Sequence, residues 1–247
     1  MLLDVGTGDG LVGFGALPLV GSAGKVIFSD VSDQLLHHCR RVATELGVVD
    51  RCDFRLLPAD DLHGVSSESV DVVTTRSVLI YVEDKRRAFE EFFRVLRPGG
   101  RLSLFEPINS FGYPDPPGRF IGYDVGPVVE LAEKVKAVFR LLQPPDDPMF
   151  DFDERDLVRY AEEAGFGPIH LTLEVAITAR PWSACDSWEE FLDSSGNPRL
   201  PPFRDVFRVA LADDQRERFC AHLRPLVERG IGEGRLAISY LWASKAP

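Results

Sequence analysis

Short apolar runs alternate with amphipathic segments along the first hundred residues of the chain. The runs have the length of buried β-strands, and the segments between them carry apolar residues at helical spacing. The pattern predicts strands at Leu2–Val5, Lys25–Asp30, Cys52–Pro58, Val70–Thr75 and Arg101–Glu106, with helices near Leu11–Val20, Ser32–Leu46 and Asp84–Leu96. Strands that alternate with helices in this way indicate an α/β fold built on a parallel sheet.

The second half of the chain repeats this pattern once and then ends on a strand. A helix is predicted over Glu154–Ala164, a strand over Ile169–Thr178 and a final strand over Arg235–Ser244. The Pro-Gly-Gly segment after Arg97 is expected to form a tight turn, because proline and glycine end helices and permit unusual backbone angles.

Two stretches interrupt the pattern, at residues 107–150 and 180–234. The first holds eight of the chain's 18 prolines and a helix near Val128–Leu142, and the second holds a helix near Asp213–Arg229. Both could be surface decoration, but a stretch that follows the fifth strand lies where open α/β sheets bind ligands. We therefore expect one domain over residues 1–247, with a core of 1–106, 151–179 and 235–247, a lid or substrate insert at 107–150 and a second insert at 180–234.

The most informative motif is the glycine-rich segment Asp4-Val5-Gly6-Thr7-Gly8-Asp9-Gly10, which directly follows the first strand. Glycines at such a turn let backbone N–H groups approach a polar or anionic ligand closely. Asp30, at the end of the second strand, is placed where a carboxylate can accept hydrogen bonds from both ribose hydroxyls. Together these residues predict a nucleoside-containing cofactor.

A dinucleotide is the less favoured cofactor. Residues 8–13 fit the letters G-x-G-x-x-G, but in the register that starts directly after the strand the third glycine is replaced by Leu11. Asp4 would also repel a pyrophosphate. An NAD-dependent oxidoreductase is therefore kept only as a minor alternative.

Four further segments match in order and spacing the motifs that accompany this loop in one protein family. They are Asp30-Val31, Ala59-Asp60-Asp61-Leu62, Ser69-Val70-Asp71-Val72-Val73 and Val95-Leu96-Arg97-Pro98-Gly99-Gly100-Arg101-Leu102. With the loop, they resemble the class I S-adenosylmethionine-dependent methyltransferases, most closely the small-molecule branch that includes ubiquinone and menaquinone biosynthesis enzymes. The resemblance implies a Rossmann-like, doubly wound, mostly parallel seven-stranded sheet whose last strand is antiparallel.

The resemblance also implies which residues bind S-adenosylmethionine. They are Asp4, Gly6, Thr7, Gly8, Gly10, Asp30, Val31, Ala59, Asp60, Asp61, Arg76 and Ser77. Asp30 would bind the ribose, Val31 would lie against the adenine, and one of the two adjacent acids, preferably Asp60, would contact the adenine amino group. Asp30 could instead stabilise the next helix through its dipole, although Ser32 is the better cap.

Methyl transfer from this cofactor proceeds by in-line displacement, which depends mainly on positioning and on exclusion of water. Glu106, at the end of the fifth strand, is the candidate general base, and its alternative role is to hold backbone amides of the lid. The candidate substrate pocket consists of Tyr81, Asn109, Tyr113 and Tyr123. No histidine ends a core strand, so a histidine base would have to come from an insert, as His222 could.

Charge and composition narrow the partners. The net charge of −11 disfavours nucleic acid, and no apolar run reaches the about 20 residues of a membrane span. The basic residues 85–87, followed by Glu90 and Glu91, are expected to form a solvated helix face. The four cysteines lack metal-ligand spacing, so we expect reduced thiols, no metal and a cytoplasmic protein.

We therefore predict methyl transfer to a small, largely apolar metabolite. A non-catalytic or repurposed S-adenosylmethionine-binding scaffold is the alternative. Members of the family usually carry a few dozen residues before the loop, whereas this loop begins at residue 4. Their covering role is expected from the two inserts or from a partner subunit, unless the chain is truncated.

Overall fold

A computed structural model describes residues 1–144, 146–181, 185 and 187–247. The strands are β1 Leu2–Val5, β2 Val26–Asp30, β3 Cys52–Leu56, β4 Val70–Arg76, β5 Leu96–Pro107, β6 Arg119–Phe120, β7 Tyr123–Asp124, β8 Ile169–Thr178 and β9 Gly234–Ser244. The α-helices are α1 Leu11–Ala16, α2 Asp33–Glu45, α3 Lys85–Val95, α4 Val129–Leu142, α5 Glu154–Ala164, α6 Trp188–Asp193, α7 Phe203–Ala210 and α8 Asp213–Glu228.

Seven strands form one sheet in the order β3-β2-β1-β4-β5-β9-β8. Strands β1 to β5 pair in parallel, and β9 runs antiparallel to β5, with Ser239 opposite Glu106. The chain order reverses between β1 and β4, and in open α/β sheets such a reversal opens a crevice at the carboxyl ends of the strands. The predicted fold class is confirmed.

The apolar strands are buried because helices cover both faces of the sheet. Leu3 and Val26 have no exposed surface, and Phe28 lies between the rings of Phe14 and Phe54, with centroid distances of 4.8 and 5.2 Å. α2 begins as predicted at Ser32, whose hydroxyl accepts a hydrogen bond from Leu35 N at 3.3 Å. This N-cap satisfies one of the N–H groups that a helix start leaves without a partner.

The fifth strand begins earlier than the sequence predicts. β5 starts at Leu96, directly after α3, and the expected turn at Pro98-Gly99-Gly100 forms its irregular first part. The pairing with β4 shifts register between Val70 and Val72. Gly99 adopts φ +79° and donates its N–H to Lys245 O at 3.0 Å, so pairing with the end of the chain replaces an isolated turn.

The chain divides into two compact units. The first comprises Met1–Ile108, Phe152–Glu174 and Ile238–Pro247, and the second comprises Asn109–Asp151 and Val175–Ala237. The second unit has its own core, in which buried aromatic rings from β6 and several helices pack together; they are Phe120, Phe191, Phe203, Phe207 and Phe219. The sequence pattern did not predict α6, α7 or the β6–β7 hairpin. The arrangement as one domain with inserts at 107–150 and 180–234 stays a prediction.

Among the described residues, no helix is both long and apolar enough to cross a membrane.

Candidate cofactor-binding site

The loop between β1 and α1 has the backbone geometry that its glycines predict. Gly6, Gly8 and Gly10 all adopt left-handed conformations, with φ of +63°, +57° and +87°. Gly6 is also required by space, because a Cβ there would come within 3.0 Å of both methyl carbons of Val78. The Val78 side chain therefore packs directly against this turn, and only glycine can occupy position 6 without strain.

The buried carboxylate of Asp4 stabilises this loop through hydrogen bonds. Its side chain is 2% exposed, and Oδ2 accepts hydrogen bonds from Thr7 Oγ1 at 2.6 Å and from Gly13 N at 3.0 Å. Oδ1 accepts one from Thr74 Oγ1 at 2.9 Å. Burial is the largest influence on the Asp4 carboxyl and raises its pKa, while these donors act in the opposite direction. Asp4 therefore ties β1, the loop, α1 and β4 together rather than presenting a free carboxylate.

Asp30 lies at the end of β2 beside the same loop. Its Oδ2 accepts a hydrogen bond from Gly8 N at 2.9 Å, and its Oδ1 accepts one from Ser32 N at 2.9 Å. Each carboxylate oxygen has two lone pairs, so each retains the capacity to accept another hydrogen bond. Both predicted roles are compatible with this geometry, since Asp30 supports the start of α2 and keeps acceptors for a diol.

The segments after β2 and β3 hold the remaining predicted nucleoside contacts. Val31 is 73% exposed, which leaves an apolar surface next to Asp30. Ala59 is buried and Asp60 is half-buried, whereas Asp61 is exposed and accepts a hydrogen bond from His63 N at 3.3 Å. No hydrogen bond or ion pair within the described part of the chain engages the carboxylate of Asp60, which favours Asp60 over Asp61 as the contact to a ligand.

A partly buried ion pair that the sequence pattern did not predict holds this segment. Glu91 Oε2 accepts a hydrogen bond from Leu62 N at 2.8 Å and pairs with Arg94 Nη2 at 2.8 Å. Arg94 also donates to Leu62 O at 2.9 Å. The prediction that residues 85–91 form a solvated face is therefore wrong for Lys85 and Glu91, which are 3% and 2% exposed. Only their tertiary contacts distinguish them from the exposed Glu90.

The two other predicted cofactor contacts lie at the last residue of β4 and the first residue of the loop that follows it. Arg76 is exposed, and its guanidinium lies 5.3 Å from the centroid of the Phe105 ring. Ser77 adopts φ +56° and donates its N–H to Phe105 O at 2.8 Å. The short 3-10 helix Leu79–Tyr81 follows, so Tyr81 of the predicted substrate pocket belongs to this loop.

Glu106 is fully buried at the end of β5. Its Oε1 accepts hydrogen bonds from Val78 N at 3.0 Å and from Leu79 N at 3.1 Å. Burial raises its pKa to about 7, while these N–H groups and the charge of Lys85 act in the opposite direction. The arrangement favours the role of holding backbone amides, which belong to the loop after β4 rather than to the expected lid. The assignment as a general base stays a prediction.

The other predicted pocket residues lie in the second compact unit. Asn109 O accepts hydrogen bonds from Gly112 N and Tyr113 N, both at 3.0 Å, and the Tyr113 ring stacks on Phe150 at 4.2 Å. Tyr123 is 0% exposed, its ring contacts Phe191 edge to face, and its hydroxyl is a buried polar atom without a hydrogen-bond partner among the described residues. The pocket assignment of these three residues stays a prediction.

Thiols and histidines contribute structure rather than a metal centre in the described ranges. Cys39 Sγ lies 3.3 Å from Gly8 O, and burial raises the pKa of Cys39 to about 11, which keeps the thiol protonated. All four cysteines are free thiols. His222 Nε2 lies 2.8 Å from Asp124 O in the second unit. Among the residues that the structure describes, no group of three or more His, Cys, Asp or Glu could hold a metal ion.

The segment that contains the glycine loop is similar in sequence to known proteins. A family model described as a methyltransferase domain matches residues 3–104. The chain is 33% identical to the ubiquinone/menaquinone biosynthesis C-methyltransferase UbiE of Cronobacter sakazakii over 144 residues, which are 53% of this chain and 56% of that protein. It is also 33% identical to an arsenite methyltransferase of Halobacterium salinarum over 114 residues, which are 46% of this chain and 29% of that protein. The chain thus spans about half or less of the length of these curated relatives.

A solved structure supports the fold over the whole chain. The crystal structure of the YcgJ protein of Bacillus subtilis aligns with a TM-score of 0.61 and 18% identity, and the alignment covers 100% of this chain and 92% of that chain. At this identity the likeness concerns the fold alone. The motifs, the sheet order and the matched family model agree: residues 3–104 match a methyltransferase domain, and the chain is similar to the S-adenosylmethionine-dependent methyltransferases, including UbiE.

Proposed function

We propose that this chain methylates a small organic acceptor with S-adenosylmethionine as the donor. The observation that carries the proposal is the position of Asp30, whose carboxylate lies against the glycine loop through the 2.9 Å hydrogen bond from Gly8 N. S-adenosylmethionine supplies an electrophilic methyl group on a sulfonium when it is bound. The protein then has to hold the donor, orient the acceptor and exclude water.

The residues around the loop fit a bound nucleoside. The carboxylate oxygens of Asp30 keep lone pairs for two ribose hydroxyls, and the exposed side chain of Val31 offers an apolar surface for adenine. Asp60 provides an acceptor for the adenine amino group. The left-handed glycines keep side chains away from the loop, so a ligand can approach its backbone.

The acceptor is proposed to be small and largely apolar. A net charge of −11 disfavours polyanions, including nucleic acid, near most of the protein surface. Tyr81, Asn109, Tyr113 and Tyr123 remain the proposed acceptor contacts. The free thiols are typical of a reducing compartment, and we include a cytoplasmic location in the same proposal.

One observation favours a second candidate function, a cofactor-binding scaffold without methyl transfer. Glu106 is the only general base that the sequence analysis proposed in the core of the fold, and its carboxylate is fully buried and bonded to backbone amides. Acceptors that are already nucleophilic, such as thiolates or arsenite, need no such base. Methyl transfer to such acceptors alone would agree with an enzyme that uses no general base, whereas no transfer to any acceptor would agree with the scaffold.

Calorimetry and a transfer assay test the proposal together. We expect S-adenosylhomocysteine to bind with a dissociation constant in the micromolar range, and NADH not to raise the melting temperature. Methyl transfer is then measured with a panel of phenols, quinols, amines, thiols and arsenite. Absence of S-adenosylhomocysteine binding would contradict both functions, whereas binding without transfer to any acceptor would favour the scaffold.

A further inference from the structure

We propose that Glu106 is a positioning residue for cofactor binding. Its carboxylate fixes the turn after β4, so that the Val78 side chain of this turn packs against the glycine loop at Gly6. The inference rests on the proposed function, because it assigns Glu106 a part in cofactor affinity. It differs from the role of general base, since the carboxylate acts through the backbone of residues 78 and 79 and touches neither donor nor acceptor.

The first step is the contact between the carboxylate and the turn. Glu106 Oε1 accepts the N–H groups of Val78 and Leu79 at 3.0 and 3.1 Å, from a side chain with 0% exposure. These N–H groups precede or begin the 3-10 helix Leu79–Tyr81, where a helical segment leaves its first N–H groups without partners. A buried acceptor here therefore replaces water that the N–H groups would otherwise need.

The second step is the conformation that the turn has to keep. Ser77 adopts φ +56°, a left-handed conformation that is unfavourable for residues other than glycine. The N–H of Ser77 is bonded to Phe105 O at 2.8 Å, and the next two N–H groups are bonded to Glu106. Neighbouring residues of β5 thus hold three consecutive amides of this turn, which compensates for its strain.

The third step connects the turn to the glycine loop. The Val78 side chain occupies the space beside Gly6, where a Cβ would come within 3.0 Å of both Val78 methyl carbons. Movement of Val78 would remove the support behind Gly6, and the loop backbone that receives the cofactor would lose its fixed position. A site whose supporting residues move by about 1 Å loses much of its affinity.

Only one carboxylate oxygen of Glu106 takes part in holding the turn. Glu106 Oε2 and the hydroxyl of Ser239, its cross-strand neighbour on β9, are buried polar atoms with no hydrogen-bond partner in the described ranges. Glutamine keeps an oxygen that can accept the two N–H groups, and its amide nitrogen replaces the oxygen that holds neither of them. Glu106→Gln is therefore expected to preserve the turn, and Glu106→Ala to release it.

The test measures S-adenosylhomocysteine affinity by calorimetry and amide exchange over residues 77–81 in the full chain. We expect Glu106→Ala to weaken binding about tenfold or more and to speed exchange of the residue 78 and 79 amides, because both lose their acceptor. Glu106→Gln should keep wild-type affinity within about threefold. Ser239→Ala is the matched control, since it removes a neighbouring buried oxygen that holds no amide, and should leave both measurements unchanged.

Val78→Ala keeps the test decisive if Glu106→Ala does not fold. It removes the methyl groups behind Gly6 while Glu106 keeps its backbone partners, and it should weaken binding about threefold or more with little change in exchange. Wild-type affinity in both Glu106→Ala and Val78→Ala would overturn the inference, and so would unchanged exchange at residues 78 and 79 in Glu106→Ala. If the wild-type chain binds no S-adenosylhomocysteine, the proposed function fails, and the exchange measurement still decides whether Glu106 holds the turn.

Discussion

Asp30 Oδ2 accepts a hydrogen bond from Gly8 N at 2.9 Å, which joins the end of β2 to the middle of the glycine loop. The same carboxylate accepts the N–H of Ser32 through its other oxygen. The residue proposed to bind the ribose is therefore oriented by the loop and by the start of α2 before any ligand arrives. Preorganisation of this kind reduces the entropy that binding would otherwise lose.

Replacement of Asp30 by alanine is expected to remove two charge-assisted hydrogen bonds to the ribose. The loss should be roughly 2–4 kcal/mol, or about 30- to 1000-fold in S-adenosylhomocysteine affinity, measured by calorimetry. Asp33→Ala is the matched control, because Asp33 lies in the first turn of α2 with a 69% exposed side chain. Equal affinities of the two variants would contradict the assignment of Asp30.

The two adjacent acids after β3 should differ in their effect on binding. Asp60→Ala is expected to weaken S-adenosylhomocysteine affinity by about 1–2 kcal/mol, because Asp60 has an available carboxylate. Asp61→Ala should change affinity by less than about 0.5 kcal/mol, since Asp61 is exposed and is engaged by His63 N at 3.3 Å. The reverse order in a calorimetric titration would show that Asp61 makes the adenine contact.

Alanine substitutions in and beside the loop should separate backbone strain from steric overlap. Gly6→Ala is expected to destabilise the protein by about 2–4 kcal/mol, because it combines a left-handed φ with contact to Val78. Gly8→Ala, with φ +57° and no atom within 4 Å, should destabilise by about 1–2 kcal/mol. Gly15→Ala, in α1 with the same open space, should be neutral or stabilising by up to about 1 kcal/mol. Urea unfolding of the three variants provides the comparison.

The buried carboxylate of Glu91, which contacts residue 62, should contribute more to stability than its exposed neighbour Glu90. Glu91→Ala leaves the buried Leu62 N–H without its acceptor and removes the carboxylate partner of Arg94, and it is expected to destabilise by about 2–3 kcal/mol. Glu90→Ala, one position earlier on the exposed side of α3, should change stability by less than about 0.5 kcal/mol. Similar urea midpoints for the two variants would contradict the structural role of Glu91.

The stability of the protein should depend on pH through Glu106. Burial raises the pKa of Glu106 from 4.5 to about 7, with Lys85 acting in the opposite direction. Between these pH values the folded chain holds a proton that the unfolded chain has released, so this group's contribution to the free energy of unfolding decreases as pH rises. The decrease amounts to about 3 kcal/mol in total.

Glu106→Gln removes this dependence, because glutamine does not titrate. Urea unfolding at pH 5 and pH 8 should therefore show that the variant gains stability relative to the wild type as pH rises. All other titrating groups are common to both chains and cancel in the difference. Parallel pH dependence of the two chains would contradict the raised pKa.

The alternation of strands and helices could be predicted from the local sequence pattern. Most errors in element boundaries occur where contacts with residues distant in the chain determine the structure. β1, β8 and α5 have the predicted bounds, because apolar run length and helical spacing are local properties. β5 begins at Leu96 because Gly99 pairs with Lys245 O, a partner almost at the other end of the chain. α6 is only six residues long, too short to give a clear helical pattern. α7 does carry a local signal, since Phe203, Val206 and Phe207 recur at helical spacing, and this signal was missed.

The α/β fold, the glycine loop and the position of Asp30 can all be read from the amino-acid sequence. Each of these depends on residues close together in the chain: apolar periodicity, glycines that permit positive φ, and an acid that ends a strand. The contacts that these residues make become visible only in the folded chain. Asp4 meets Thr74 across 70 positions and Glu91 meets Leu62 N across 29, and burial separates Glu91 from Glu90. Such contacts depend on how strands and helices pack. Packing brings together residues that are far apart in the chain, and no local sequence pattern indicates that they are neighbours.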